Sequence, residues 1–153
     1  MDEIRNIQRA DVSALKKVLD SSALFPSEYL DDMISDYFEN PKSEAIWFTK
    51  DFNGIPISLG YCAPEQMTGG TYNLYAIAVS KAHQGKGIGS AMMTYIENRL
   101  KTDKHRLLIV ETSTDPALEL TRSFYLKNKY TEEARIRDFW KEGEGKVIYW
   151  KKL

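Results

Sequence analysis

Residues 84–89, Gln-Gly-Lys-Gly-Ile-Gly, follow an apolar run that ends at Val79 and lead into a helical pattern that begins near Gly87. Without a Cβ, the backbone of such a turn can approach a diphosphate closely and take positive φ. Several N–H groups and the positive end of a helix dipole are then aimed at one anion. The chemistry implied is pyrophosphate binding, with Lys81, His83 and Lys86 either meeting phosphate charge or simply solvated. A phosphate loop of the nucleotide-hydrolase type needs four residues between its glycine and a Gly-Lys-Ser/Thr, which the chain lacks. A dinucleotide fingerprint needs Gly-x-Gly-x-x-Gly, whereas the spacing here is Gly-x-Gly-x-Gly in mid-chain. The competing reading of Gly85, Gly87 and Gly89 is a tight turn that permits close helix packing.

The elements that must position this turn are legible in the hydrophobic pattern. Residues 3–8 alternate loosely as a strand, and Asp11 is the expected N-cap of a short helix with Val12, Leu15, Val18 and Leu19 on one face. After Pro26, Ser27 is the expected cap of a second helix carrying Leu30, Met33, Ile34, Tyr37 and Phe38, ended by Asn40-Pro41, with an acidic outer side. Residues 45–49 and 57–62 read as an antiparallel strand pair around Asn53-Gly54. The run 72–79, the helix from about Gly87 to Lys101 and the run 107–110 form a βαβ unit. Its continuous apolar strands predict a parallel pair covered on both faces, joined by a right-handed crossover. Asp115-Pro116 opens another helix through about Asn128, and residues 134–140 and 146–152 form a last antiparallel pair around Gly143 and Gly145.

With the elements in this order, the glycine turn resembles motif A of the GNAT superfamily of N-acetyltransferases, whose Gln/Arg-x-x-Gly-x-Gly/Ala signature is matched by Gln84, Gly87 and Gly89. The strand from Leu74 to Val79 precedes it at the family's distance. Val110-Glu111-Thr112-Ser113, Thr121-Arg122-Ser123-Phe124-Tyr125, Arg137-Asp138-Phe139-Trp140 and Lys146-Val147-Ile148-Tyr149 look like one bacterial branch of that family, while the N-terminal half is similar only in element order. The resemblance implies an α/β fold with a mixed, mostly antiparallel central sheet, flanking helices, and parallel fourth and fifth strands that splay apart. It implies a single N-acetyltransferase domain over residues 1–153 with acetyl-CoA as cosubstrate. Backbone N–H groups of Gln84, Gly85, Lys86, Gly87, Ile88 and Gly89, continued by Ser90, would hold the pyrophosphate, and the edge of Ile77, Ala78 and Val79 would pair with the pantetheine amides.

Moving an acetyl group from a thioester to an amine needs a neutral amine, a stabilised oxyanion and a proton for the departing thiolate. An amine with a pKa of about 10.4 is neutral only about once in 2,500 molecules at pH 7, so its deprotonation represents roughly 4.6 kcal/mol. Tyr125 is the candidate acid: it occupies the family's Phe/Leu-Tyr position and shares a small, polar helical stripe with Ala117, Thr121 and Asn128, or else it is a packing aromatic. The family often places a carboxylate on the fourth strand as base, and Tyr72-Asn73-Leu74-Tyr75 supplies none. Glu111, after four apolar residues, is the candidate base or else a structural carboxylate; Glu65 and the carboxylates of the helix containing Glu28 are weaker candidates. Trp140 and Tyr149 either line the acceptor pocket or pack in a core or interface. Lys129 stands where the family usually has a helix-ending glycine, and Leu118 where many relatives have an asparagine.

Composition closes off other classes. The 153 residues are 42% hydrophobic and suit one core. Lys plus Arg total 21 against 22 Asp plus Glu, a net charge of −1 that leaves no footprint for nucleic acid or an anionic membrane. The single cysteine, Cys62, in an apolar strand, fits a reducing compartment. His83 and His105 lack metal-ligand spacing, so no metal is expected. No signal core or spanning segment is present, and a cytoplasmic protein is expected. The leading reading is direct acetyl transfer in a ternary complex from acetyl-CoA to a primary amine, a small molecule favoured over a protein, with a homodimer compatible. The alternative is an acyl-CoA-binding sensor or regulatory domain without chemistry.

Overall fold

The computed structural model describes residues 3–153; Met1 and Asp2, with which the expected 1–153 domain begins, lie outside the described residues. The described residues divide into two compact units, residues 3–63 with 75–96, and residues 64–74 with 97–153. It is a mixed α/β chain with strands β1 (Ile4–Asn6), β2 (Ile46–Phe52), β3 (Ile55–Pro56), β4 (Ser58–Pro64), β5 (Thr71–Val79), β6 (Leu107–Ser113), β7 (Thr131–Lys141) and β8 (Glu144–Lys152). The α-helices are α1 (Val12–Ser22), α2 (Leu30–Glu39), α3 (Ile88–Thr102) and α4 (Glu119–Lys127). Strand β5 and helix α3 each contribute residues to both units.

In the first unit β2 is antiparallel to β1, β3 and β4. Asn53 and Gly54 both have positive φ, 52° and 75°, as a two-residue hairpin turn whose twist matches its strands requires. Helices α1 and α2 exist because their apolar residues recur at helical spacing: Leu15, Val18 and Leu19 from α1, with Leu30 and Ile34 from α2, pack on Ile7, Trp47, Leu59 and Ala78. Each short helical lead-in is a 3-10 turn, Arg9–Asp11 before α1 and Ser27–Tyr29 before α2.

The two expected caps are met in part. Asp11 holds the N-cap position of α1 without a side-chain bond into that helix, and the N-cap of α2 is Tyr29, two residues beyond Ser27. Asp11 is buried and instead accepts from the Gln8 N–H at 2.7 Å and from Arg5 Nη1 at 2.8 Å. The same guanidinium donates through Nε to Asp51 at 2.8 Å, so one arginine fork ties β1 to β2 and to the start of α1. The Gln8 bond closes a capping box on the 3-10 lead-in, and the charge-assisted bonds from a planar donor hold the same carboxylate in place.

In the second unit the order is β5-β6-β8-β7. β5 and β6 are parallel, in register from Thr71↔Leu107 to Leu74↔Val110, and β6 is antiparallel to β8 through all seven of its residues. Leu100, Leu108, Val110, Tyr125, Tyr130, Val147 and Tyr149 are buried here. Glu97 in α3 accepts from the Tyr130 hydroxyl at 2.7 Å and from Lys151 Nζ at 2.8 Å, which fixes the chain after α4 and the end of β8 to the same carboxylate. Strand β7 is exposed along its whole length, and its pairing with β8 shifts register between Glu132 and Ala134 and again between Ile136 and Lys141. Lys129 takes the left-handed conformation, φ 71°, which the sequence flags at a position usually held by glycine.

Candidate functional site

In the first unit, the residues expected to hold the cofactor form one continuous stretch at the end of β5. Ala76 and Ala78 point into the core, while Ile77 and Val79 are half-buried and Tyr75 is 50% exposed. The expectation of two covered faces holds for Tyr72, Asn73 and Leu74, buried in succession, and fails beyond them, where strand alternation puts Tyr75, Ile77 and Val79 on a face that the protein leaves partly open. The Tyr75 ring continues a stack of Trp47 on Tyr61, with centroids 4.0 Å apart, and Tyr61 on Tyr75, 5.5 Å apart.

Beyond β5 the chain turns under several restraints. Ser80 N–H donates to the Ile57 carbonyl at 2.8 Å, and the Gln84 side-chain amide donates back to the Val79 carbonyl at 3.0 Å. That bond holds the turn against the end of the strand, which gives Gln84 a mechanical role. Gly85 and Gly87 then take φ of 75° and 79°, with nothing within 4 Å of where a Cβ would stand. Glycine is required there by conformation and not by crowding. Helix α3 starts at Ile88, one residue after the expected Gly87, whose carbonyl accepts the first intrahelical bond from Ala91 N–H at 3.0 Å. The N–H groups of Ile88, Gly89 and Ser90 are first-turn donors with no intrahelical acceptor. Residues 84–87 are exposed, so an anion reaches these donors and the helix dipole without displacing protein. The cradle fits a pyrophosphate on its own geometry. His83 contributes little to it: its ring packs on Phe52 at 5.1 Å and its Nδ1 is enclosed without a partner.

In the second unit, Tyr125 on α4 is 4% exposed. In place of the expected small, polar stripe it is surrounded by rings: Phe124 at 5.3 Å, Tyr149 at 5.4 Å and Tyr130 at 6.0 Å between centroids. Burial, with a smaller effect of Tyr149, holds its hydroxyl well above the usual tyrosine range. Among the described residues nothing hydrogen-bonds that hydroxyl. α4 is aimed by Arg122, whose Nη1 donates to the carbonyls of Ser113 and Asp115, both at 2.8 Å. Tyr125 is thus a protonated donor without an internal acceptor.

Glu111 is separated from it. Tyr149, the ring partner of Tyr125, lies opposite Val110, so the next residue, Glu111, projects from the other face of the β6–β8 pair. There its carboxylate is bound to Lys146 Nζ at 2.8 Å, and that ammonium also lies 4.1 Å from the Phe139 ring centroid. Trp140 is half exposed on β7, while Tyr149 is buried.

One further pair was visible in the sequence only as a weaker candidate beside a residue with no assigned role. Asn73, 2% exposed on β5, donates from Nδ2 to Glu65 Oε1 at 2.8 Å, and its Oδ1 is buried without a hydrogen-bond partner. Glu65 is set by its own backbone: its N–H donates to the Thr71 carbonyl and its carbonyl accepts from Thr68 Oγ1, both at 2.8 Å.

The model of the acetyltransferase (GNAT) family matches residues 3–130. No curated protein matches the sequence. Among solved structures, a Desulfovibrio desulfuricans protein described as an acetyltransferase of the GNAT family superposes with a TM-score of 0.92, is 23% identical, and each chain covers 99% of the other. An aminoglycoside 6'-N-acetyltransferase complexed with coenzyme A gives 0.80 at 15% identity, over 98% of this chain and 96% of that one. The ribosomal-protein-S18-alanine N-acetyltransferase of Escherichia coli gives 0.78 at 16% identity, over 100% and 94%. These likenesses establish the fold.

Proposed function

The chain belongs to the GNAT acetyltransferase family, and from that premise we propose that it forms a single cytoplasmic domain that transfers an acetyl group from acetyl-CoA to a primary amine, directly, within a ternary complex. The observation that carries this reading is the turn at Gly85 and Gly87, open at both Cα positions and running straight into the first turn of α3.

Acetyl-CoA, when bound, supplies a thioester whose acyl carbon accepts the amine. The N–H groups of residues 84–90 would hold its pyrophosphate, and the partly open edge at Ile77, Ala78 and Val79 would receive the amides of the pantetheine arm. Tyr125 is the proton donor to the departing sulfur, a role suited to a hydroxyl whose burial keeps it protonated at neutral pH. For Glu111 to take a proton from the amine, its ion pair with Lys146 must open. Cys62 is buried and gives no support to an acyl-enzyme. The acceptor is a small amine in preference to a protein.

Calorimetric titration with CoA, followed by thiol release from acetyl-CoA across a panel of polyamines, amino acids, aminoglycosides and peptide amines, tests the reading. Saturable CoA binding with acceptor-dependent release supports it. Tight CoA binding with no release for any amine identifies an acyl-CoA sensor, and absence of CoA binding refutes both.

A further inference from the structure

We propose that Glu65 is the base that takes the proton of the acceptor amine, and that Asn73 is its positioning residue; this rests on the acetyl-transfer reading above. The β5 strand has no carboxylate of its own, but its buried Asn73 draws one in from the turn before it, at 2.8 Å. The amide is oriented with its donor toward Glu65 even though this leaves Oδ1 buried and unpartnered. An unsatisfied buried acceptor costs about 1–3 kcal/mol, and such a cost persists where a function holds it in place.

The chemistry suits a group that must gain and then lose a proton. Facing the ionised carboxylate, Nδ2 of Asn73 donates to it. Once Glu65 is protonated, a half-turn of the amide brings Oδ1 round to accept from the new carboxylic O–H. One asparagine therefore holds Glu65 in both states, which an arginine or lysine, donors only, cannot do. The protons balance: an ammonium N–H gives its proton to a Glu65 oxygen and the freed nitrogen lone pair forms the bond to the acyl carbon; as the C–S bond breaks, the Tyr125 hydroxyl protonates the departing sulfur, the second N–H proton of the added amine restores that hydroxyl, and Glu65, half-buried, returns its own proton to water. Glu111 is paired with the Lys146 ammonium at 2.8 Å, a donor that can hold only its ionised state. The backbone bonds of Glu65 to Thr71 and Thr68 fix the turn, so the carboxylate is delivered to the strand at one place.

The test compares pH profiles of kcat/KM for wild type, Glu65→Gln, Asn73→Ala and Glu111→Gln, with whichever amine releases thiol from wild type, alongside CoA affinity for each. The expected result for Glu65→Gln is a fall of at least about 10²-fold with the acidic limb lost and CoA affinity within about twofold. Asn73→Ala should lower kcat with little change in KM for the amine and keep the acidic limb, since it removes the contact that places the carboxylate and not the carboxylate itself. Glu111→Gln should keep the wild-type limb. Formate added to Glu65→Ala should restore part of the lost rate. If wild type turns over but Glu65→Gln keeps the wild-type acidic limb, or formate restores nothing, the assignment to Glu65 is overturned while acetyl transfer stands. If no amine releases thiol from wild type, the transfer reading falls and this assignment with it.

Discussion

Replacing Gly87 by alanine separates a cradle from a mere turn. Its φ is 79°, and an added Cβ would meet no heavy atom within 4 Å, so the whole cost is conformational. For an L-residue that cost is about 1–2 kcal/mol. Gly54, in the turn between β2 and β3, has φ 75° and is equally open, which makes Gly54→Ala a control carrying the same strain. The two differ in what enforces the conformation. The hairpin ladder, Asp51↔Pro56 and Phe52↔Ile55, keeps residue 54 strained in the folded protein, and the strain appears as lost stability, about 2–8 °C in Tm for a chain of this size. Residue 87 lies in an exposed turn with no strand ladder across it, so the alanine variant can leave the left-handed conformation at little cost to the fold; the same free energy is then charged to binding, and the Kd for CoA should rise about 5–30-fold with little change in Tm. Calorimetric titration with CoA and thermal unfolding of both variants read the two quantities. A Gly87→Ala protein whose Kd stays within twofold of wild type, or a Gly54→Ala protein whose Kd rises as much, would refute the reasoning.

Other expectations follow from single contacts. Tyr125→Phe should reduce kcat at least about 10²-fold while CoA affinity and Tm hold, because the hydroxyl has no internal hydrogen bond to lose; unchanged turnover would remove Tyr125 from the mechanism. At Gly60, on β4 opposite Phe48, a Cβ would lie 2.5 and 2.6 Å from two atoms of the Phe48 ring, so Gly60→Ala should cost about 1–3 kcal/mol in urea unfolding, partly regained with Phe48→Leu. Arg5 holds the Asp11 carboxyl below the ordinary carboxylate range, so this pair stabilises the fold above about pH 4 and the contribution fades as pH falls through the lowered native value. Asp11→Asn should therefore lower stability at neutral pH and flatten its acid decline, and an unfolding series across acidic pH checks the slope.

What was legible in the sequence was mostly local. The Asn53-Gly54 hairpin, the helix faces with Leu15, Val18, Leu30 and Ile34, and the glycine turn all follow from short-range spacing and backbone chemistry. The surroundings of Tyr125 were not legible, because Tyr149 arrives from a strand more than twenty residues later and turns an expected polar stripe into an aromatic cluster. The pairing of Glu111 with Lys146 depends on the register of β6 and β8, which periodicity does not specify. Asp11 suits a cap by residue type and closes a capping box with Gln8; its other partner, Arg5, is reached only once β1 lies beside β2. Along the sequence Asn73 is only the absence of a strand carboxylate; its contact with Glu65, eight residues earlier, exists only once the turn folds back on β5.

Strand β7 closes its unit with a solvated edge, and its two register shifts have a colloidal consequence. A second chain can extend a sheet only where it meets a straight, evenly spaced row of N–H and C=O groups, and β7 presents that row in interrupted stretches, bent at Asp138, φ 56°, and studded with Glu132, Glu133, Arg135, Arg137 and Lys141. The same irregularities that leave Ile136, Phe139 and Trp140 exposed thus make the edge a poor template for open-ended strand addition, the route by which exposed edges turn into fibres.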